Sequence, residues 1–209
     1  MGLQEVCINW GMFKSSQTLA SLLRHGPEKI RSVASYNKTE VENQGRRQRG
    51  GTSTIIRDQL AGFVVDSGVD VTGLGRYSWY KLEGEPGHCT YVITAYAPCG
   101  NAAMTFGSVY KQQERFIQIN GLRTNPKTMF RDDLLALLRR WRAAGHRVIL
   151  MMDANEHVID GCLCKALRED DLMMHEAVHS VTSDPGPKTH FRGTDSIDGI
   201  LYLSDIELI

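Results

Sequence analysis

The sequence predicts one mixed α/β domain in which sheets are covered by helices, and three observations carry that prediction. Between Thr52 and Ala95, short β-rich runs are punctuated by glycines at 62, 68, 73, 75, 84 and 87, the pattern of antiparallel strands joined by turns. Two stretches, 109–120 and 131–144, place apolar residues at helical spacing. After them, Val148 to Met152 is an unbroken apolar run, as expected of a strand buried on both faces.

Composition sets the outer bounds. The 209 residues suffice for a single domain, 1–209, with its own core. Hydrophobic residues make up 42% and charged ones 23%, which is ordinary globular usage. Twenty-four basic residues balance 24 acidic ones, so attraction to nucleic acid or membrane must come from a local patch. No apolar run approaches the ~20 residues that span a bilayer. No basic-then-apolar leader opens the chain, and Val6 stands where a myristoylation signal has Ser or Thr. Cysteines 7, 89, 99, 162 and 164 are odd in number and scattered, which argues against a disulfide framework. Cys162-x-Cys164 lacks the second pair of a zinc site. A reducing, intracellular setting, the nucleus included, is therefore expected.

Taken in order, Leu3 to Ile8 reads as a strand. Ser15 or Ser16 then caps a short helix with Leu19, Leu22 and Leu23 on one face, stopped by Gly26-Pro27. Residues 37–51 are polar and read as a loop. Strands follow at Ser53–Arg57, Gly62–Asp66, Trp79–Leu82 and Cys89–Ala95. The helix at 109–120 turns Val109, Phe116 and Ile119 inward. The helix at 131–144 does so with Leu134, Leu135, Leu137, Leu138 and Trp141, with Asp132 and Asp133 in a first turn where the dipole favours anions. A further helix over 162–179 is broken by Ser183-Asp184-Pro185-Gly186-Pro187, and a strand over Ile197–Leu203 closes the pattern.

Several residues carry chemistry. The run Val148 to Met152 delivers Asp153 and Asn155 at its exit, two positions apart and so on one side of an extended chain. A carboxylate can take a proton or hold a metal while an amide donates to a phosphate oxygen; the alternative is a plain strand-end turn. Glu5 lies in an apolar stretch, where an unpaired carboxylate is costly. It calls for a cation, unless it sits on an edge facing solvent. Tyr96, in Tyr96-Ala-Pro98, offers a hydroxyl to a phosphate, or is a core aromatic with a wet tip. Asp198 stands at the start of the last strand. Arg46, Arg47 and Arg49 form a basic cluster suited to phosphates, or a solvated loop.

In that order, Gln4-Glu5, Gly50-Gly51-Thr52, Tyr96-x-Pro98, Asp153-x-Asn155 and Ser196-x-Asp198 resemble the motif series of the endonuclease/exonuclease/phosphatase superfamily. That group includes apurinic endonucleases, deoxyribonuclease I, sphingomyelinases, inositol-phosphate phosphatases and non-LTR retrotransposon endonuclease domains. The resemblance implies a four-layered α/β sandwich, two packed mixed β-sheets flanked by helices. It implies Mg²⁺ or Mn²⁺ on Glu5, Tyr96 and Asn155 on the scissile phosphate, Asp153 on the attacking water, and Asp198 supporting the hydrogen-bond network. It implies a phosphodiester hydrolase with DNA as partner; residues 43–52 and 189–193 most resemble the retroelement group. The superfamily also carries an Asn on a strand before the Gln-Glu strand and an Asp-His pair after the last. Neither is present where the pattern requires it, so an incomplete, weak or inactive domain is expected. The other readings are a non-catalytic nucleic-acid-binding remnant and a phosphatase or phospholipid phosphodiesterase.

One motif competes. His175-Glu-Ala-Val-His179 matches the zinc-protease pattern with both histidines one helical turn apart. The segment after it supplies no third ligand, so a solvated amphipathic helix is expected there.

Overall fold

In a computed structural model, residues 1–14, 16–39, 45–100, 103–169, 171–184, 186–189 and 193–206 are described. Their strands form two sheets packed face to face. The smaller contains β1 (Gly2–Gln4), β2 (Ile30–Ser35) and β3 (Thr52–Arg57) in the order β1-β3-β2, antiparallel throughout. The larger contains β4 (Val64–Val69), β5 (Tyr77–Glu83), β6 (Cys89–Tyr96), β7 (Arg147–Asp153), β8 (Met174–Glu176) and β9 (Asp198–Leu203) in the order β4-β5-β6-β7-β9-β8. Within it only β6 and β7 run parallel. A parallel pair needs a long crossover, and two helices supply it: α2 (Val109–Ile119) and α3 (Pro126–Ala143). Among the described residues the remaining α-helices are short: α1 (Leu19–Leu23), α4 (Cys162–Arg168) and α5 (Ala177–Thr182).

Two-residue alternation sorts each strand of the large sheet. Ile93 and Ala95 of β6, Val148, Leu150 and Met152 of β7, and Leu201 and Leu203 of β9 point away from the small sheet. They form one core with Phe130, Leu134 and Leu138 of α3 and Leu163 and Leu167 of α4. Leu134, Leu138, Val148 and Leu150 are fully buried, each contributing about 1.5–3 kcal/mol of transfer free energy. The opposite face meets the small sheet. At one end Ile56 packs with Tyr80 and Leu82. At the other, Thr54 bonds Ser78 and Thr94 through its hydroxyl, because buried hydroxyls must find partners. Outside the small sheet α1 lies on β2, with Ala20 N donating to Ser32 Oγ. The result is the four-layered sandwich, helix, sheet, sheet, helix, with a thin outer layer of one short helix.

Several expectations need correction. The small sheet is antiparallel rather than mixed. Residues 52–95 are not one meander, because β3 belongs to the other sheet. Strand β2 went unread in the sequence: Ile30-Arg-Ser-Val-Ala-Ser shows little contrast between its faces. Strand β1 stops at Gln4, and the positive φ of Glu5 and Cys7 ends extended pairing there. The cap of α1 is Thr18, whose side chain accepts from Ser21 N; Ser15 lies outside the described residues. Helix α2 turns Tyr110, Gln112, Gln113 and Ile117 inward and leaves Ile119 84% exposed. Helix α3 starts at Pro126, capped by Asn125, so Asp132 and Asp133 are not in its first turn. Proline suits a first helical position because its missing N–H would go unsatisfied there anyway. The stretch 162–179 is two helices separated by β8. His175 and Glu176 therefore lie on a strand and His179 on a helix, so the two histidines are not one helical turn apart. Glu176 is buried and accepts from His179 N as a helix cap. No described helix is long and apolar enough to cross a membrane.

Candidate active site

Strand register builds the site. Tyr96, the last residue of β6, pairs with Asp153 of β7, and Asp153 pairs with Asp198 of β9. Directly paired residues point to one face of a sheet, so Tyr96, Asp153 and Asp198 stand in a row across three adjacent strands. That face is the one the small sheet covers: two residues earlier, Thr94 and Met151 lie against Gly2 of β1. The chain leaves β1 there and brings Glu5 over Tyr96, whose hydroxyl donates to Glu5 Oε1 at 2.6 Å.

The turn at Glu5 is held by the Gly50-Gly51 pair. Both glycines have left-handed φ, 82° and 87°, which is open to glycine at little steric cost. Their carbonyls accept from Cys7 N and Val6 N. A Cβ on Gly50 would come 3.0 Å from Val109, and one on Gly51 3.1 Å from the Ser35 carbonyl. Glu5 itself has φ 48° and Cys7 φ 55°, a conformation that costs side-chain-bearing residues on the order of 1 kcal/mol or more.

The basic cluster is divided by its anchor. Gln48 is 2% exposed. Its amide accepts from Asn37 N and donates to Asn37 O, and Asn37 in turn donates to Gln112 of α2. With Gln48 pinned inward, Arg47 and Arg49 flank it outward and line a cleft of about 610 Å³ together with Glu5, Tyr96 and Cys99. Arg46 does not line it and lies over the Phe13 ring, 5.8 Å from its centroid. Asp153, Asn155 and Asp198 stand beside this cleft rather than in its walls.

Burial, then the neighbouring Asp198, pushes the Asp153 carboxyl up to about 7, against a hydrogen bond from Asn155 N that lowers it. Burial and the hydrogen bond to Glu5 raise Tyr96 far above the ordinary phenol range, so it remains a donor. Asn155 has φ 49°, which asparagine tolerates. Its Nδ2 donates to Ala97 O at 2.8 Å, while Ala97 N donates to Asp153 O. The turns after β6 and β7 are thereby clasped together. One of the two amide N–H bonds of Asn155 is committed to this clasp, and the other has no partner among the described residues.

Three carboxylates thus share one region. Among the described residues, no three His, Cys, Asp or Glu side chains close on a common point. A hard divalent cation needs only one or two carboxylates, with water and substrate oxygens completing its shell. Burial first, and then the neighbouring Asp198 and Glu5, disfavour the ionised Asp153 carboxylate, a cost that a bound cation would offset, so the donor set suits such an ion.

Sequence reasoning missed three participants. Cys99 lines the cleft, and burial and then Asp153 raise its thiol. Arg76 has its side chain wholly buried, bonded through Nε and Nη2 to Asp70 and through Nη2 to Asp133 of α3. Its backbone carbonyl accepts from Tyr96 N. Lys127, on the first turn of α3, lies on the other side of the site, and its charge works against the upward shift of the Cys99 thiol without overcoming it. Only the Asn-Pro helix start could have placed Lys127 from sequence.

The fold is that of the endonuclease/exonuclease/phosphatase proteins. The human Nocturnin catalytic domain with bound sulfate matches with TM-score 0.59 at 15% identity, over 97% of this chain and 68% of that one. The Neisseria 3′ phosphatase NExo, bound to product DNA hairpin, matches with TM-score 0.52 at 15% identity, over 97% and 75%. Humanized D. rerio TDP2 carrying 14 mutations matches with TM-score 0.50 at 10% identity, over 97% and 69%. At such identities the likeness is one of fold. No protein-family model matches the chain, and no curated protein matches it.

Proposed function

We propose that this chain is a metal-dependent phosphodiester hydrolase acting on nucleic acid, DNA first, of the retroelement endonuclease type. One observation carries the reading: Tyr96, Asp153 and Asp198 stand in register, with Glu5 folded onto Tyr96 at a cleft flanked by Arg47 and Arg49. The NExo match, a phosphatase bound to DNA, supports nucleic acid as the substrate class. The retroelement assignment rests on the residue pattern at 43–52 and 189–193, of which 43, 44 and 190–192 lie outside the described residues.

Glu5 is the residue that would hold Mg²⁺ or Mn²⁺, and the bound ion would polarise a phosphoryl oxygen and offset developing charge. Asp153 takes the proton of a water whose oxygen attacks phosphorus. A new O–P bond forms as the P–O bond to the leaving sugar oxygen breaks in line, the leaving oxygen keeping the bond's electron pair and taking a proton from solvent water. A carboxyl near 7 suits proton transfer at neutral pH. The second N–H of Asn155 donates to a phosphate oxygen, Tyr96 steadies Glu5, and Arg47 and Arg49 grip flanking phosphates. Asp198 raises the negative potential beside Asp153.

The test is Mg²⁺-dependent nicking of supercoiled plasmid by the full chain and by Asp153→Ala. At most weak nicking by the wild type, lost in the variant, is expected; nicking retained in the variant removes Asp153 from the mechanism. A second reading, binding without cleavage, is favoured by one observation: no described histidine hydrogen-bonds to Asp153, Asn155 or Asp198. Salt-sensitive DNA binding without nicking would select it. Release of phosphate from a 3′-phosphorylated strand without nicking would select a phosphatase.

A further inference from the structure

A second cavity, of about 380 Å³, opens on the α3 side of the Tyr96 and Asp153 turns. We propose that it seats the nucleoside on one side of the scissile phosphate, with Lys127 and Arg131 at its rim taking the next phosphate along. This deepens the phosphodiesterase reading and rests on it.

Position is the first support. Ala97, Pro98 and Ala154, which directly follow Tyr96 and Asp153, form one wall. The Asn155 to Ala97 hydrogen bond clasps the same two turns. A group in the cavity is thus held beside the two turns that carry Tyr96 and Asp153. Pro98 lines the cavity and the next residue, Cys99, lines the arginine cleft, so the two spaces adjoin at Pro98-Cys99.

Size and lining are the second. The volume lies at the lower end of the ~300–1,000 Å³ typical of small-ligand sites, room for one base and sugar. The buried side chains of Phe130 and Leu163 supply an apolar floor, and a flat base gains from leaving water against such a surface. A bare phosphate has no use for it.

Charge is the third. Among the described residues, Lys127 is exposed and makes no ion pair, and Arg131 pairs only with its exposed neighbour Asp132, an arrangement worth little in water. Lys127 lies in the first turn of an 18-residue helix, where the dipole also favours an anion, and Arg131 lies one turn further on. The one acid in the wall, Glu156, is committed: its Oε1 accepts from Leu163 N at 2.5 Å and from Cys164 N at 3.3 Å. Two basic ends, Arg47 and Arg49 on one side and Lys127 and Arg131 on the other, then flank the carboxylates. That spacing suits a chain of phosphates better than a single ester.

Native thiols report on both spaces: exposed Cys162 lines the cavity and exposed Cys99 the cleft. The experiment follows N-ethylmaleimide labelling of each cysteine by mass spectrometry in the full chain. The probes are adenosine 5′-monophosphate, a short oligodeoxynucleotide, ribose 5-phosphate and inorganic phosphate. At tenfold excess over the dissociation constant, the nucleotide should slow Cys162 labelling about tenfold, and Lys127→Glu should abolish that protection. Inorganic phosphate and ribose phosphate should leave Cys162 reactive. Protection by both nucleotide and oligonucleotide marks a strand as the source; protection by the mononucleotide alone marks a free nucleotide. Undiminished Cys162 labelling with every probe, or equal protection by inorganic phosphate, overturns the proposal. Hydrolysis of bis(p-nitrophenyl) phosphate with Mg²⁺, followed in parallel, separates the two failures. Hydrolysis without Cys162 protection sinks the cavity alone. Cys162 protection without hydrolysis leaves a nucleoside site and sinks the phosphodiesterase reading.

Discussion

The Tyr96 hydroxyl donates to Glu5 Oε1 at 2.6 Å, joining residues 91 positions apart. Tyr96 is 3% exposed and fixed by the β6–β7 register, whereas Glu5 is solvent-facing in a left-handed turn. The buried member therefore positions the exposed one. In Tyr96→Phe the ring packing is kept and the donor lost. Loss of such a supporting bond costs about 10–100-fold in metal affinity. The Mg²⁺ concentration for half-maximal hydrolysis should rise by at least about tenfold, with the metal-free melting temperature nearly unchanged. An unchanged Mg²⁺ dependence would show that Tyr96 does not act through Glu5.

Asp153 should trade stability for function. Its folded carboxyl is raised from 3.8 to about 7. Between those values the unfolded chain has released the proton that the folded chain keeps, so this group's contribution falls as pH rises through that window. Above it the folded state carries the full penalty, on the order of 2 kcal/mol after allowing for the residue's partial exposure. In EDTA, Asp153→Asn should gain melting temperature over wild type between pH 5 and pH 8, by a few degrees, while losing hydrolysis. Thermal melts at the two pH values check this, and an Asn variant with no relative gain at pH 8 would contradict it.

Arg47 and Arg49 should matter to nucleic acid where Arg46 does not. The first two line the cleft and Arg46 rests near Phe13. Each arginine taken away from a phosphate should flatten the slope of log affinity against log salt by about 0.7 for a single strand. Arg47→Ala with Arg49→Ala should therefore reduce the slope by about 1.4, and Arg46→Ala should leave it nearly unchanged. Titration of a labelled oligonucleotide at several salt concentrations reads the difference. Equal effects from all three arginines would mean the cleft is not the binding path.

The Asp70–Arg76 pair should be a stability determinant reaching the site. Burial works to raise Asp70, and the hydrogen bonds and charge of Arg76 outweigh it, leaving its carboxyl below the usual range. Removing one partner of a buried pair strands the other charge, at about 3–5 kcal/mol. Asp70→Ala should lose that much in urea unfolding. Asp133→Asn should lose less, because the Asp133 side chain is 39% exposed. Comparable losses would mean that burial does not set the cost.

Local pattern carried a good part of this protein. The apolar run before Asp153, the Gly50-Gly51 pair and the exposed arginines were legible because strand burial, left-handed turns and charge clusters have signatures within a few residues. Resemblance to a family's motif order, rather than any local signature, is what grouped Glu5, Tyr96, Asp153, Asn155 and Asp198 as a series. Sequence order could not place β3 in a different sheet from β4, find β2 in a run with weakly contrasted faces, or break 162–179 at β8. Each of those depends on which distant surface covers the segment. The same is true of the site. That Tyr96, Asp153 and Asp198 stand side by side is decided by strand register, and that Glu5 reaches them is decided by the turn Gly50 and Gly51 hold. Gln48 sends Arg47 and Arg49, but not Arg46, into the cleft. Register and burial are settled by contacts between residues far apart in the chain, because only the folded core determines which face of each strand leaves water.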